Sequence, residues 1–193
     1  ATQERQGFVF PNVTIQDKPR FAWRGLMIDV SRHFMPLDVL ERQLDAMEEL
    51  KFNVLHLHLS DAESFSIASR RYPLLHKKGA ANGEYYTQGQ IRELIAYARD
   101  RGIRVVPEFD IPGHTRSWFA GYPQLTSPLY REESKHTQQD AVIDPTNPYV
   151  YRFISRVFAE MGALVPDKYF HAGGDEVSGK QWERDPHIVR FMK

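Results

Sequence analysis

Short apolar segments that read as strands alternate along this chain with longer stretches that read as amphipathic helices. That alternation constrains the fold more than any other feature. "WRGLMIDVS" (23–31) predicts a first buried strand, and Leu37, Leu40, Leu44, Met47 and Leu50 then recur as one helical stripe. "NVLHLHLSD" (53–61) predicts a second strand, followed by a long connection up to Tyr86. Thr87 and Gln90 fit a capping box, and Tyr86 with Ile91 fits a hydrophobic staple. The helix they start buries Ile91, Leu94, Ile95 and Ala98 and ends at Gly102. "IRVVPEFD" (103–110) predicts a third strand, with a loop from Ile111 to roughly Asp144 behind it. Asn147 and Pro148 open a helix that uses Tyr151, Ile154, Phe158 and Met161, "KYFHAGG" (168–174) predicts a fourth strand, and "PHIVRFMK" begins a further helix. Strands and helices in this order imply an α/β fold, with parallel strands joined by helical crossovers.

The balance of charge narrows what such a fold can serve. Twenty-five basic residues match twenty-five acidic ones, which removes the usual electrostatic case for nucleic acid or an anionic membrane. No apolar run approaches the roughly 20 residues that span a bilayer. The opening "ATQERQGFVFPN" lacks the basic and apolar regions of a signal peptide, as a processed chain also would. Without cysteine there are no disulfides and no thiolate metal sites. No cofactor is expected.

Residues able to do chemistry gather where the strands end: Asp61, then Asp110 and His114, then Asp175 and Glu176. In parallel α/β folds, ligands bind at those carboxyl ends. "HAGGDEV" (171–177) is the sharpest case, because two neighbouring carboxylates follow a Gly-Gly pair that clears space for something. On a regular strand such neighbours point to opposite faces. "DIPGHT" (110–115) presents His114 from a Pro-Gly turn, a position suited to orienting a group or relaying a proton. His56 and His58 share one strand face, either as a His-x-His metal pair or as two hydrogen-bonded histidines lining a polar interior; the second reading is preferred and no metal is expected. Arg24 serves equally as an ion-pair partner or as a donor to sugar hydroxyls. Trp118, Phe119, Tyr122 and Trp182 fall in predicted loops, as core plugs or as platforms for sugar rings. "SRRYPLLHKK" carries a basic cluster with no interleaving that suggests base stacking.

Four motifs in order, "WRGLMIDVSRHF", "HLHLSD", "VVPEFDIPGHT" and "HAGGDEV", closely resemble the successive signatures of family 20 glycoside hydrolases, the β-N-acetylhexosaminidases. The resemblance runs from about Phe21 to about Trp182. It implies a (β/α)8 TIM-type barrel, with residues 1–20 as a lead-in and 21–193 as about the first four of its eight βα units. It also implies release of terminal N-acetylglucosamine or N-acetylgalactosamine from glycans or chitooligosaccharides. By the same resemblance Glu176 is the general acid/base and Asp175 orients the acetamido group. Asp61 and His114 assist the acid's proton handling, and Arg24 and His171 contribute to substrate binding; Asp110 and Trp118, from their places at and after the third strand, are expected to join them there. Where the family commonly has a second Asp and a Gln after Asp61, this chain has Ala62 and Glu63.

The family is one of the exceptions to the two-carboxylate scheme of glycosidases, since the substrate's own acetamide oxygen attacks and an oxazolinium forms. Neighbouring carboxylates then suit the task, and the charge of Asp175 is expected to raise the pKa of Glu176. The family's later strands supply the aromatic residues around the acetamide. A missing second half, or self-association, is therefore expected as the partner of this chain. The resemblance favours a secreted, periplasmic or lysosome-like compartment. The rival readings are a non-catalytic sugar-binding fragment and a His-x-His metallohydrolase barrel.

Overall fold

The computed structural model describes residues 2–4, 7–9, 11–133, 142–177 and 179–193. In chain order its strands are β1 Thr2–Glu4, β2 Gly7–Val9, β3 Gly25–Asp29, β4 Val54–Ser60 and β5 Arg104–Phe109. The α-helices are α1 Leu37–Glu49, α2 Leu74–Gly79, α3 Gln88–Asp100, α4 Arg116–Gly121, α5 Pro128–Glu133, α6 Pro148–Leu164, α7 Lys180–Arg184 and α8 Pro186–Met192. β1 and β2 pair antiparallel, whereas β3, β4 and β5 form a parallel sheet in that order. No helix among the described residues is long and apolar enough to cross a membrane.

Helix boundaries follow the local chemistry. Thr87 and Gln90 form the expected capping box, with Gln90 N–H donating to Thr87 Oγ1 at 3.2 Å and Thr87 N–H to Gln90 Oε1 at 2.8 Å. Gly102, just past α3, has φ of 70°, a left-handed value that a glycine adopts without strain. Asn147 caps α6 by accepting the Tyr149 N–H at 2.9 Å. The α1 stripe buries Leu40, Leu44 and Met47 but leaves Leu50, the C-cap, exposed. Each buried side chain of that stripe contributes about 1.5–3 kcal/mol.

Three expectations need correcting. α6 buries Val150, Phe153, Val157, Met161 and Leu164, one step round from the stripe read in the sequence, and Tyr151 is exposed. Arg152, Ser155, Arg156 and Glu160 make one polar face, but the apolar arc opposite is wide enough to hold both stripes, so periodicity could not choose between them. The supposed loop behind β5 contains α4 and α5, so Trp118 and Phe119 are helical, and Trp182, also expected in a loop, lies in α7. The fourth strand shrinks to one parallel bridge between Glu108 and His171, because Gly173 and Gly174 turn the chain away at φ of 69° and 113°.

Register sets the site. Asp29 pairs with His58, His58 with Glu108 and Glu108 with His171, so four polar residues stand abreast near the carboxyl ends of the strands. Residues paired in register share a face of the sheet. Ile28, Leu57 and Val105 belong to the core against the helices.

Candidate active site

Three strand ends converge on His114. Its Nδ1 lies 3.0 Å from Asp61 Oδ1, and its Nε2 lies 3.4 Å from Glu176 Oε2. Asp61 is buried at the end of β4, whereas Glu176 is exposed. His114 and Glu176 both have left-handed backbones, with φ of 52° and 51°. The left-handed turn at Glu176 breaks the two-residue alternation of a strand, so Asp175 and Glu176 are not forced onto opposite faces.

The Gly-Gly pair makes room for a protein carboxylate. A Cβ on Gly173 would fall 1.7 Å from Asp110 Oδ1 and 2.6 Å from Asp110 Cα. That oxygen accepts the Gly174 N–H at 2.7 Å. Asp110, expected to meet substrate, is instead buried beneath the turn that carries Asp175 and Glu176. Burial pushes its pKa up, with the charges of Asp175 and Glu108 adding to that effect and the Gly174 N–H and His114 opposing it.

Behind Asp61 lies a hub of histidines whose centre, Glu108, was not among the expected site residues. Glu108 Oε2 is 2.7 Å from His56 Nε2 and 2.7 Å from His58 Nδ1, and Glu108 Oε1 is 2.8 Å from His171 Nδ1. His58 turns its other nitrogen to Asp61 Oδ2 at 2.9 Å. With a carboxylate at each nitrogen, His58 is an imidazolium donating both ways. Burial of the ring opposes that charge, but the hydrogen bonds to Asp61 and Glu108 override it and push the pKa up to about 10. Burial likewise works against the Glu108 carboxylate, yet hydrogen bonds from His56 and His58 hold it well below the usual range. Asp61 is also held low against its burial, by His58, its contact with the Ala62 N–H, His114 and Arg32. Arg32 reaches Asp61 Oδ2 at 2.8 Å, Asp29 Oδ2 at 2.8 Å and Glu63 Oε2 at 3.2 Å. Strand parity offered a signal for Glu108, two residues before Asp110, and Arg32 had one in its place within "WRGLMIDVSRHF", just past the carboxyl end of β3.

The hydrogen-bonded reading of His56 and His58 is the one this geometry carries. Ligand atoms of His56, Glu108 and His171 do lie within 4.8 Å of one another. Their 2.7–2.8 Å contacts are hydrogen-bond distances, shorter than the separation of about 3.3 Å that neighbouring ligands keep around one tetrahedral zinc.

The other expected residues scatter. Trp118 is fully buried, edge-on to Phe65 with a ring separation of 5.4 Å, and serves the core rather than a sugar face. Arg24 stands at the amino end of β3, where its guanidinium donates to Lys51 O at 2.6 Å and Phe21 O at 2.7 Å. The structure does not bring it to His114. His171 joins the cluster through Nδ1, which lies 2.8 Å from Glu108 Oε1 and 3.0 Å from the Gly173 nitrogen. A cavity of about 220 Å³ beside His114 and Glu176 is also lined by Val177 and Trp182, whose indole N–H donates to Ile143 O at 3.1 Å.

A pH dependence of stability follows from the hub. The raised His58 pKa contributes stability that is full below its ordinary 6.5 and is lost as pH rises toward about 10. The lowered Glu108 pKa contributes stability that is full above its ordinary 4.5 and is lost as pH falls below it. Chemical denaturation of the whole protein across pH should therefore show the hub's contribution greatest between those two values. His58→Gln should flatten the alkaline decline, and an unchanged decline would remove His58 as its source.

Comparisons with known proteins show the family to which such a chain is similar. The family described as "Glycosyl hydrolase family 20, catalytic domain" matches residues 21–193. The mouse β-hexosaminidase subunit beta is 44% identical over 187 residues, covering 96% of this chain and 35% of its own length. β-Hexosaminidase A of Caenorhabditis elegans is 44% identical over 192 residues, covering 97% and 34%. The X-ray structure of a Flavobacterium johnsoniae chitobiase superposes with a TM-score of 0.82 at 42% identity, covering 90% of this chain and 26% of that one. The chain thus spans about a third of the length of the curated relatives it matches. The likeness bears out the TIM-barrel class, of which the β3–β4–β5 sheet and its helices are a part.

Proposed function

The chain belongs to glycosyl hydrolase family 20, and we propose that it carries the proton-handling half of a retaining β-N-acetylhexosaminidase site. The proposed reaction releases terminal, non-reducing N-acetylglucosamine or N-acetylgalactosamine. The observation that carries this reading is His114 set between Asp61 at 3.0 Å and Glu176 at 3.4 Å, with Asp175 beside the latter.

In this reading Glu176 gives its proton to the leaving glycosidic oxygen while the substrate's acetamide oxygen attacks the anomeric carbon. Asp175 accepts the acetamide N–H and offsets the positive charge of the oxazolinium. As Glu176 ionises, His114 faces the new carboxylate and stabilises it. Glu176 then takes a proton from the water that opens the oxazolinium ring. Asp61, kept anionic by His58 and Arg32, fixes the imidazole of His114 from behind.

The acetamide is the test. Hydrolysis of a chromogenic N-acetylglucosaminide by the whole protein should exceed that of the plain glucoside by roughly a thousandfold or more, because the plain glucoside lacks the nucleophile. A thiazoline mimic of the cyclised intermediate should bind at least about a hundredfold more tightly than product. Comparable cleavage of the plain glucoside would mean that the enzyme supplies its own nucleophile, and the reading of Asp175 would be lost.

A further inference from the structure

We propose that the cleft between α3 and α6 binds a multiply charged tetrahedral oxyanion, a phosphate or sulfate ester, through Arg70, Arg71, Arg92 and Arg156. These arginines come from three separate parts of the chain. Arg70 and Arg71 lie in the connection after β4, Arg92 lies on α3 and Arg156 on α6, and all four line one cleft of about 690 Å³. Each is exposed, and among the described residues none has an acidic partner.

The one carboxylate lining the cleft is already committed. Glu160 accepts hydrogen bonds from Ser69 Oγ at 2.8 Å, the Arg70 N–H at 2.6 Å, the Arg71 N–H at 3.3 Å and Gln88 Nε2 at 2.7 Å. Two bonds on each oxygen fill its acceptor capacity. Glu160 therefore pins the 69–71 turn against α6 and holds the two arginines at the cleft, without pairing to a guanidinium. Four positive groups remain in one concavity with a single, fully engaged negative one, in a chain whose formal net charge is zero. An ordinary solvated face interleaves the two signs. Guanidinium forks match the paired oxygens of phosphate and sulfate, and bind them bidentately where lysine acts as a point charge. A group with two or more negative charges offsets the mutual repulsion of the arginines better than a single carboxylate does. The cleft lies between the outer faces of two helices and uses no residue of the His114 cluster, so this inference is independent of the proposed reaction.

Calorimetric titration of the whole protein with inorganic sulfate, pyrophosphate and a multiply sulfated disaccharide tests it. Saturable binding is expected, tighter for the multiply charged probes than for sulfate. Whichever of pyrophosphate and the disaccharide binds more tightly identifies a free anion or a glycan-borne ester as the source. The R92A/R156A double variant should weaken binding at least tenfold, leaving hexosaminide turnover and the ligand-free Tm unchanged. R92K/R156K should recover only part of the affinity. Absence of saturable binding by all three probes, or an affinity untouched in R92A/R156A, would overturn the proposal, and full recovery in the lysine variant would overturn the guanidinium-fork geometry.

Discussion

Glu176→Gln in the whole protein is expected to lower kcat by roughly two to four powers of ten on substrates with poor leaving groups. The substitution keeps shape and removes the proton. Gln at this position meets the same backbone demand, a φ of 51° that a non-glycine residue already sustains. Leaving groups of low pKa need little protonation, so an activated aryl N-acetylglucosaminide should lose only about tenfold or less. The slope of log kcat against leaving-group pKa should therefore steepen in the variant. Equal losses along the series would take Glu176 out of the acid role, and the His114 contact at 3.4 Å would need another explanation.

The 193-residue chain by itself is expected to show no hexosaminide turnover and to self-associate. Among the described residues the outer edge of β3 is unpaired in the order β3–β4–β5, and beyond β5 the sheet continues through one bridge, to His171, and the backbone hydrogen bonds around it. Open edges and bare apolar faces are templates for further pairing. Trp23, Leu26 and Met27 are exposed along that edge. The chemistry suffers as well, because the Glu176 side chain is 84% exposed and water screens the charges that a closed site would strengthen. Sedimentation of the purified chain, ANS fluorescence and a chromogenic assay on one preparation would check this. A stable monomer with substantial turnover would show that these three strands suffice.

Legibility in the sequence depended on whether a signal was local. The capping box at Thr87, the N-cap at Asn147 and the cores of the first three expected parallel strands are written in a few neighbouring residues, and they appear where expected. The face of α6 was not readable, because Val150, Phe153 and Val157 compete with Tyr151, Ile154 and Phe158 for the same period. Trp118 is an indole beside a predicted site, and only tertiary packing against Phe65 shows that it belongs to the core. The neighbouring carboxylates, Asp61 and His114 were legible as strand-end chemistry. Glu108 was not, since an acid inside "VVPEFD" reads as an isolated exception until register brings His58 and His171 alongside it.

The space at Gly173 has a consequence for anyone moving this site. The missing Cβ is filled by the Asp110 carboxylate, which in turn holds the backbone of Gly174. The Asp-Glu dipeptide is therefore not a portable unit. Its turn rests on an acid from the preceding strand, and a graft onto another barrel would have to carry Asp110, Gly173 and Gly174 together. Transplanting the two visible carboxylates alone would deliver the reagents without the hinge that aims them.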